Sequence, residues 1–402
     1  MSPTSRRSSR TFPGTGRPSP KKSWTGRSSF ASFDGARISS PARSPHTGFP
    51  LVPTNTAAHN EGRMVSPPIN PCAPRTAIIE GLPFSARALL APMDGVTDPT
   101  FRDLLLDLHD EGVLGGTFTE FLRVSAHPLP RHAIEKTLGP RGARRRLGLQ
   151  LMGNHEAHLG ETARRAAELG VQLIDINFGC PARGAAKSIA GCALLADPSR
   201  MRRLVQALRD ALPTHIPVTA KIRSGLEDDS NLEDLAKAVE DGGAALLTVH
   251  CRTKKEAYRD GTARWERIAR CVAAVNIPVC GNGGIEEHAH IEAMMRATGA
   301  AFAMVGRAAI ADPWVFSGHR ATTDESRDFL ARYAEDMLER TQGRMVRVAA
   351  RLKQMIRYWK AAGLFEESRS RWLRTKSPET LVAAILRRAE MEPSCPTPPA
   401  KA

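Results

Sequence analysis

The most chemically suggestive feature of this 402-residue chain is a thiol set between a glycine and a proline, Asn177-Phe178-Gly179-Cys180-Pro181. Gly179 is expected to permit backbone geometry that other residues resist, and Pro181 fixes the exit from Cys180. A thiol on such a loop can serve as nucleophile or acid. Free cysteines are usually small buried side chains, and Cys192 and Cys251 are read that way. The flanking Gly and Pro reverse that reading for Cys180. Seven other short apolar runs also end in polar or backbone-accessible groups: Pro92-Met93-Asp94, Glu120, Gln150, Lys221, His250, Asn282-Gly283-Gly284 and Gly306-Arg307. Glycines at adjacent run ends let backbone N–H groups approach phosphate oxygens, a following helix N-terminus adds its dipole, and Arg307 supplies a charged fork. Lys221 and His250 are expected to flank the same pocket.

Such groups need a scaffold that brings run ends to one rim. The runs cover residues 88–93, 116–121, 147–152, 172–177, 217–222, 246–250, 277–282 and 301–306, with helical patterns between them at 155–169, 198–212, 231–241, 263–275 and 286–298. Eight strand–helix units within residues 80–316 have the size and rhythm of a (β/α)₈ TIM barrel, whose catalytic residues project from the C-terminal strand ends. A doubly wound open sheet is the competing α/β fold, but no G-x-G-x-x-G follows a strand. After 316 the rhythm stops. Thr322-x-x-Glu325 forms a capping box opening a helix to about Arg340. A second helix is expected over 344–362, with Met345, Val348, Leu352, Met355, Ile356 and Trp359 on one stripe, and a third over 378–389. Residues 322–390 therefore read as a small α-helical domain.

Net charge is +15, of which residues 1–75 carry +9 and the folded body only +6. The body's basic charge is concentrated between Arg340 and Lys376, where eleven Lys and Arg face only Glu366 and Glu367. Arg344, Arg347 and Arg351 lie on one flank of the second helix, with Lys353, Arg357 and Lys360 on the other. An ordinary solvated face mixes signs, so this one is read as a nucleic-acid contact. The seven cysteines form no CxxC, which suits a reduced cytoplasmic protein without a zinc site, and no apolar run is long enough to span a bilayer. Residues 1–75, rich in Ser, Pro, Arg and Gly, read as a disordered basic tail. That composition equally fits an organelle transit peptide, and Met64 offers a later start.

The segments Ala91-Pro92-Met93-Asp94-Gly95-Val96-Thr97-Asp98, Asp175-Ile176-Asn177-Phe178-Gly179-Cys180-Pro181 and Pro217-Val218-Thr219-Ala220-Lys221-Ile222-Arg223 resemble signatures of the tRNA-dihydrouridine synthases. So do Val249-His250-Cys251-Arg252-Thr253, Ile277-Pro278-Val279-Cys280-Gly281-Asn282-Gly283-Gly284 and Met304-Val305-Gly306-Arg307, all in the family's order. Thr119-Glu120-Phe121, Arg252-Thr253-Lys254 with Tyr258, and Arg351-Leu352-Lys353-Gln354 resemble the bacterial branch that modifies position 16 of the D-loop. Cys251 departs from the family pattern, which often has glycine there, as does Cys192 in the loop after Cys180.

The resemblance implies an FMN-binding TIM barrel followed by a helical tRNA-binding domain. Pro92, Met93 and Asp94 would lie along the flavin, Gln150 and Lys221 would hold its ring with His250 nearby, and Asn282, Gly283, Gly284, Gly306 and Arg307 would bind its phosphate. A cation beside the flavin, Lys221, stabilises the reduced anion. NADPH would reduce the flavin, which passes hydride to C6 of a uracil while Cys180 protonates C5. Asn177, Arg223 and Arg252 would contact the extruded nucleotide, with Glu120, Tyr258, Arg344, Arg347, Arg351, Lys353 and Gln354 as further RNA contacts. The implied partner is tRNA, with no metal, membrane or obligate protein partner. Two alternatives stand beside this reading: an FMN barrel acting on a free pyrimidine, such as a dihydroorotate dehydrogenase, and a non-catalytic RNA-binding barrel.

The tail contributes no strand end and no site residue. A chain beginning at Thr76 should keep flavin and nearly full turnover at saturating tRNA, with any penalty confined to weaker binding at low salt. Loss of flavin or of saturated turnover would place the tail in the folded unit.

Overall fold

The computed structural model describes residues 80–144, 146–181, 190–257, 259 and 261–387. The expected tail, Tyr258 and the end of the third helical stretch beyond 387 lie outside them. Each apolar run becomes a strand: β1 (Ala88–Leu90), β2 (Thr117–Phe118), β3 (Leu122–Arg123), β4 (Leu147–Met152), β5 (Ile174–Phe178), β6 (Val218–Arg223), β7 (Leu246–His250), β8 (Val279–Asn282) and β9 (Phe302–Val305). All pairings are parallel, in the order β1-β9-β8-β7-β6-β5-β4-β2 with β3 also on β4. A bridge from Leu89 to Gly116 joins β1 to the second run and closes the ring. The fold is a (β/α)₈ barrel, and the open sheet is excluded.

The second barrel strand is not the straight 116–121 run expected. β2 pairs with the start of β4 (Thr117 opposite Leu147) and β3 with its end (Leu122 opposite Leu151). One more residue separates the two contacts on the first side than on the second, which is a bulge. It falls between Thr119 and Phe121 and re-aims Glu120 at the rim.

Strand alternation sorts the barrel into layers. Outward positions such as Leu149, Ile176, Ala220, Ile222 and Val249 join the large core shared with the helices. At the lower end of the barrel interior, Leu89, Phe118, Leu173, Leu246, Cys280, Phe302 and Met304 pack with Leu82 and Phe84. The Phe84 ring lies 5.8 Å from Phe118 and 5.6 Å from Phe302, centroid to centroid, plugging that end. Above this floor the inward positions turn polar: Gln150, Asp175, Thr219 and Thr248, all buried.

The outer helices are α1 (Pro99–Leu108), α2 (Arg131–Leu138), α3 (Glu156–Glu168), α4 (Pro198–Asp210), α5 (Leu232–Asp241), α6 (Glu266–Ala274), α7 (Ala289–Thr298) and the short α8 (Arg307–Ala311). After them come α9 (Thr323–Arg340), α10 (Met345–Tyr358), α11 (Arg369–Arg374) and α12 (Pro378–Leu386). The capping box is made as expected: Glu325 N–H donates to Thr322 Oγ1 at 3.2 Å and Thr322 N–H to Glu325 Oε2 at 2.7 Å. α10 ends four residues before the expected 362. Trp359 takes φ −54°, ψ 126° and buries its indole, with Nε1–H donating to Ser326 Oγ at 2.8 Å. Lys360 N–H then donates to Ala311 O at 2.6 Å, tying the chain back to the barrel. Met345, expected on the buried stripe, is exposed, and Ala349 packs there with Val348, Leu352, Met355 and Ile356.

The barrel and these helices fall in one compact unit. Tyr333 Oη donates to Asp98 Oδ2 at 2.6 Å, while Asp98 Oδ1 caps α1 by accepting from Phe101 N–H at 3.0 Å. Arg340 reaches Asp103 at 3.0 Å. Among the described residues, no helix is long and apolar enough to cross a membrane.

Candidate active site

The strand register brings most of the expected rim residues to two successive inward rows. Asn177 lies opposite Lys221, Arg223 opposite His250, and His250 opposite Asn282. Because these positions share the inward face of their strands, their side chains converge at the top of the barrel.

Cys180 sits just beyond β5, partly exposed, against Phe121, Met152 and Ala190. Its loop is held from below: Asn177 Oδ1 accepts from the N–H of Gly179 at 2.8 Å and of Cys180 at 2.9 Å. Asn177 Nδ2 donates to Gln150 Oε1 at 2.7 Å, and Gln150 Nε2 donates to Asp175 Oδ2 at 2.6 Å. Asp175 Oδ1 accepts from Thr219 Oγ1 at 2.6 Å. Burial raises the Asp175 carboxyl to about 6 against the pull of these hydrogen bonds. Asp175 and Thr219 carried no role in the sequence reading. The signal was the inward spacing of Asp175 and Asn177, two apart on one strand.

Gly179 does not need the special backbone expected of it; a Cβ there would meet nothing nearer than Arg223 Cγ at 3.5 Å. The close-fitting glycine is Gly191, at φ +61°, where a Cβ would stand 2.9 Å from Cys180 O and 3.2 Å from its Cβ. Arg223 is buried, with Nε–H donating to Gly179 O at 2.9 Å and Nη1–H to Thr253 O at 3.2 Å. It fastens the cysteine loop to the loop after β7. Arg252 is buried too and donates from Nε to Thr262 Oγ1 at 2.9 Å. Asn177, Arg223 and Arg252, expected to face a nucleotide, thus direct these polar groups into the protein.

On the β6–β9 side of the same rim lies a cationic wall, which adjoins the cysteine loop through Arg223. Lys221 Nζ donates to Asn282 Oδ1 at 2.9 Å, and Asn282 Nδ2 donates to Met304 O at 2.8 Å. Burial, and then Arg223, lower the Lys221 ammonium to about 8. Burial also lowers His250, reinforced by Lys221, Arg223, Arg252 and Arg307, so the ring is neutral. Arg252 N–H donates to His250 Nδ1 at 3.2 Å, which leaves the ring proton on Nε2. With Arg223 and Arg252 turned into the protein, Lys221 and Arg307 beside this neutral imidazole are the cations that suit an anionic ligand. At Gly283, φ +101°, a Cβ would come within 2.9 Å of Cys251 Sγ and 3.2 Å of His250 Cε1, so only glycine lets that turn close over the wall. Of the two helix N-termini expected here, α7 begins at Ala289, well past Gly284, whereas the five-residue α8 begins directly at Gly306, its N-cap. Gly306 stands open, 3.8 Å from Met93 Sδ by its would-be Cβ, so the Pro92-Met93-Asp94 end of β1 adjoins it.

Glu120, partly buried at the bulge, is raised above the usual carboxylate range by burial, and Arg351 opposes the shift. Arg351 Nη2 lies 3.5 Å from Glu120 Oε1, its Nε 3.9 Å from Asp98 Oδ2, and its Nη1 donates to Gln354 Oε1 at 3.3 Å. Lys353 donates to the carbonyl of Thr375 at the end of α11. Of the residues expected to bind RNA, Arg351 therefore ties α10 to the barrel and Lys353 ties it to the end of α11, while Gln354 supports Arg351 on the same helix. Arg344 and Arg347 are exposed, as expected of phosphate contacts. No cluster suited to a metal ion occurs among the described residues.

A lysine whose ammonium is destabilised by folding costs stability while it is charged in the folded state. The cost is fully present below about 8, and is relieved as pH rises from there toward the unfolded value of 10.5. Lys221→Met should therefore raise the Tm of the flavin-free protein at pH 7, with the advantage over native shrinking between pH 8 and 10. An advantage that does not change with pH would trace the gain to packing and not to charge.

The profile of the Dihydrouridine synthase (Dus) family matches residues 89–377. The tRNA-dihydrouridine(16) synthase of Vibrio vulnificus is 36% identical over 71% of this chain and 93% of the relative. That of Cupriavidus necator is 39% identical over 60% of this chain and 76% of the relative, and that of Pseudomonas syringae pv. tomato 40% over 56% and 71%. The cysteine loop, the cationic wall, all but the first residue of the barrel strands and the helical extension through α11 lie within the matched span, and the chain belongs to the dihydrouridine synthase family.

Proposed function

We propose that this site reduces the C5–C6 bond of a uridine in tRNA, at position 16 of the D-loop, with FMN as the bound flavin and NADPH as the source of electrons. The observation that carries the reading is a partly exposed thiol on a braced loop beside a cationic wall at the top of a barrel. The chain is an oxidoreductase that uses a flavin.

The residues fit such a cofactor by their donor set. Lys221, neutral His250 with its proton on Nε2, and Asn282 offer donors to a polar ring edge, and Arg307 with the backbone around Gly283, Gly284 and Gly306 suits a phosphate. Met93 offers an apolar surface beside Gly306. A bound reduced flavin supplies hydride to C6 of the uracil. Cys180 gives the thiol proton to C5, so hydride and proton together saturate the double bond. An anion bound beside Lys221 would hold its ammonium charged at neutral pH, offsetting the burial that lowers it. A uridine stacked in folded RNA must first be flipped out, at a cost of about a few kcal/mol.

Cys180→Ala should leave flavin bound and reducible by NADPH while dihydrouridine formation, mapped by mass in tRNA, falls by about two orders of magnitude or more. Substantial product at neutral pH would assign the proton to another group.

The helical domain supplies tRNA phosphate contacts through its exposed cations. Because Arg351 is committed to Glu120 and Asp98, the informative changes are Arg344→Glu with Arg347→Glu. Together they should weaken tRNA binding by about tenfold or more without altering the flavin spectrum. Unchanged affinity would leave that face solvated and idle.

A further inference from the structure

We infer that Asp175 is a positioning residue for Cys180, acting through the side-chain amides of Gln150 and Asn177. The inference rests on the reading of Cys180 as the proton donor.

The direction of this chain of hydrogen bonds is forced by chemistry from its upper end. The N–H groups of Gly179 and Cys180 are backbone donors, and both lie within 2.9 Å of one atom of Asn177. That atom must be oxygen. Asn177 then turns its NH₂ to Gln150 at 2.7 Å, so the Gln150 atom there must accept. Gln150 in turn presents its own NH₂ to residue 175 at 2.6 Å, and that position must also accept. A carboxylate oxygen does so unconditionally, since it has no donor face to offer by mistake. Thr219 occupies the other oxygen. Gln150, Asp175 and Thr219 are at most 1% exposed and Asn177 is 9% exposed, so water does not repair a reversed amide. If Gln150 flipped, Asn177 would have to flip as well, and its NH₂ would confront two N–H groups beneath the thiol. Asp175 touches neither thiol nor substrate; it supplies the buried acceptor that the forced direction of the two bracing amides requires at its lower end.

Asp175→Leu removes the acceptor. Asp175→Asn keeps it, because its oxygen can face Gln150 while its NH₂ donates to Thr219 Oγ1. Adding Thr219→Val to the asparagine variant leaves that NH₂ no side-chain acceptor but Gln150, which draws the amide to the reversed orientation. The first readout is hydrogen exchange in the full-length, flavin-free protein. Gly179 and Cys180 amides should exchange about tenfold faster or more in the leucine variant and in the Asn/Val double variant, but at nearly native rates in the asparagine variant. The second is anaerobic rapid mixing of the FMN-loaded full chain. Reduction by NADPH should stay within about threefold of native in all variants, while reoxidation by saturating unmodified tRNA should slow by about 30-fold or more in the leucine and double variants only.

Native exchange and native reoxidation in the leucine variant would overturn the inference. Should that variant fail to retain flavin, the other pair decides, and a double variant indistinguishable from the single asparagine variant overturns it equally. Cys180→Ala in the same reoxidation assay separates the two readings. Native reoxidation there would sink the proton-donor reading, whereas slow reoxidation there with a native Asp175→Leu would sink the relay alone.

Discussion

A polar group inside a closed barrel has no water to fall back on, and this molecule is organised around meeting that constraint. The ring of parallel strands closes through only three residues of β1, paired to β9 on one side and bridged at Leu89 on the other. Below, the interior is sealed by the Phe84 plug and an apolar floor. The next inward layer is polar, and between β4 and β6 its members satisfy one another: Thr219 to Asp175, Gln150 to Asp175, Asn177 to Gln150. Thr248, on β7, stands outside this set. At the rim, donors remain for something from outside.

The same principle explains why the cationic wall contains a neutral ring. Burial keeps His250 uncharged, while Lys221, lowered only to about 8, stays mostly charged at neutral pH and is paired with Asn282. What the wall presents is a set of directed donors at a depth where an incoming anion is poorly screened.

Much of this was legible in the sequence. Runs with polar ends gave the barrel and named the rim, because strand alternation and the parallel register translate spacing into position with little freedom. The Thr322–Glu325 capping box is a local interaction and was read correctly for the same reason. What escaped the sequence depended on a second surface. The bulge at Glu120 needs a partner strand to define it. α10 stops at Tyr358 because Trp359 finds Ser326 and Lys360 finds Ala311, both distant in the chain. Met345 satisfies the helical period but meets no neighbouring face, and Ala349, too small to stand out, does. Asn177 and Arg223 were rightly placed at the rim, but no pattern tells which way an amide or a guanidinium turns once there. Asp175 went unassigned for that reason.

The contacts of Arg340 with Asp103, and of Arg351 with Glu120 and Asp98, separate two kinds of basic residue within what looks like one patch. A cation already facing a carboxylate carries little excess potential, so few ions in the RNA's atmosphere need to leave when it draws near. Of the eleven Lys and Arg between Arg340 and Lys376, these two add little to the entropy of counterion release, although they lie where the helices meet the barrel. Their service is geometric: they hold α9 and α10 against the barrel and so set where the exposed cations of α10 stand. Long-range potential and packing geometry thus rest on different arginines of the same segment, so ionic strength acts on the first while leaving the second, partly shielded inside the protein, largely in place.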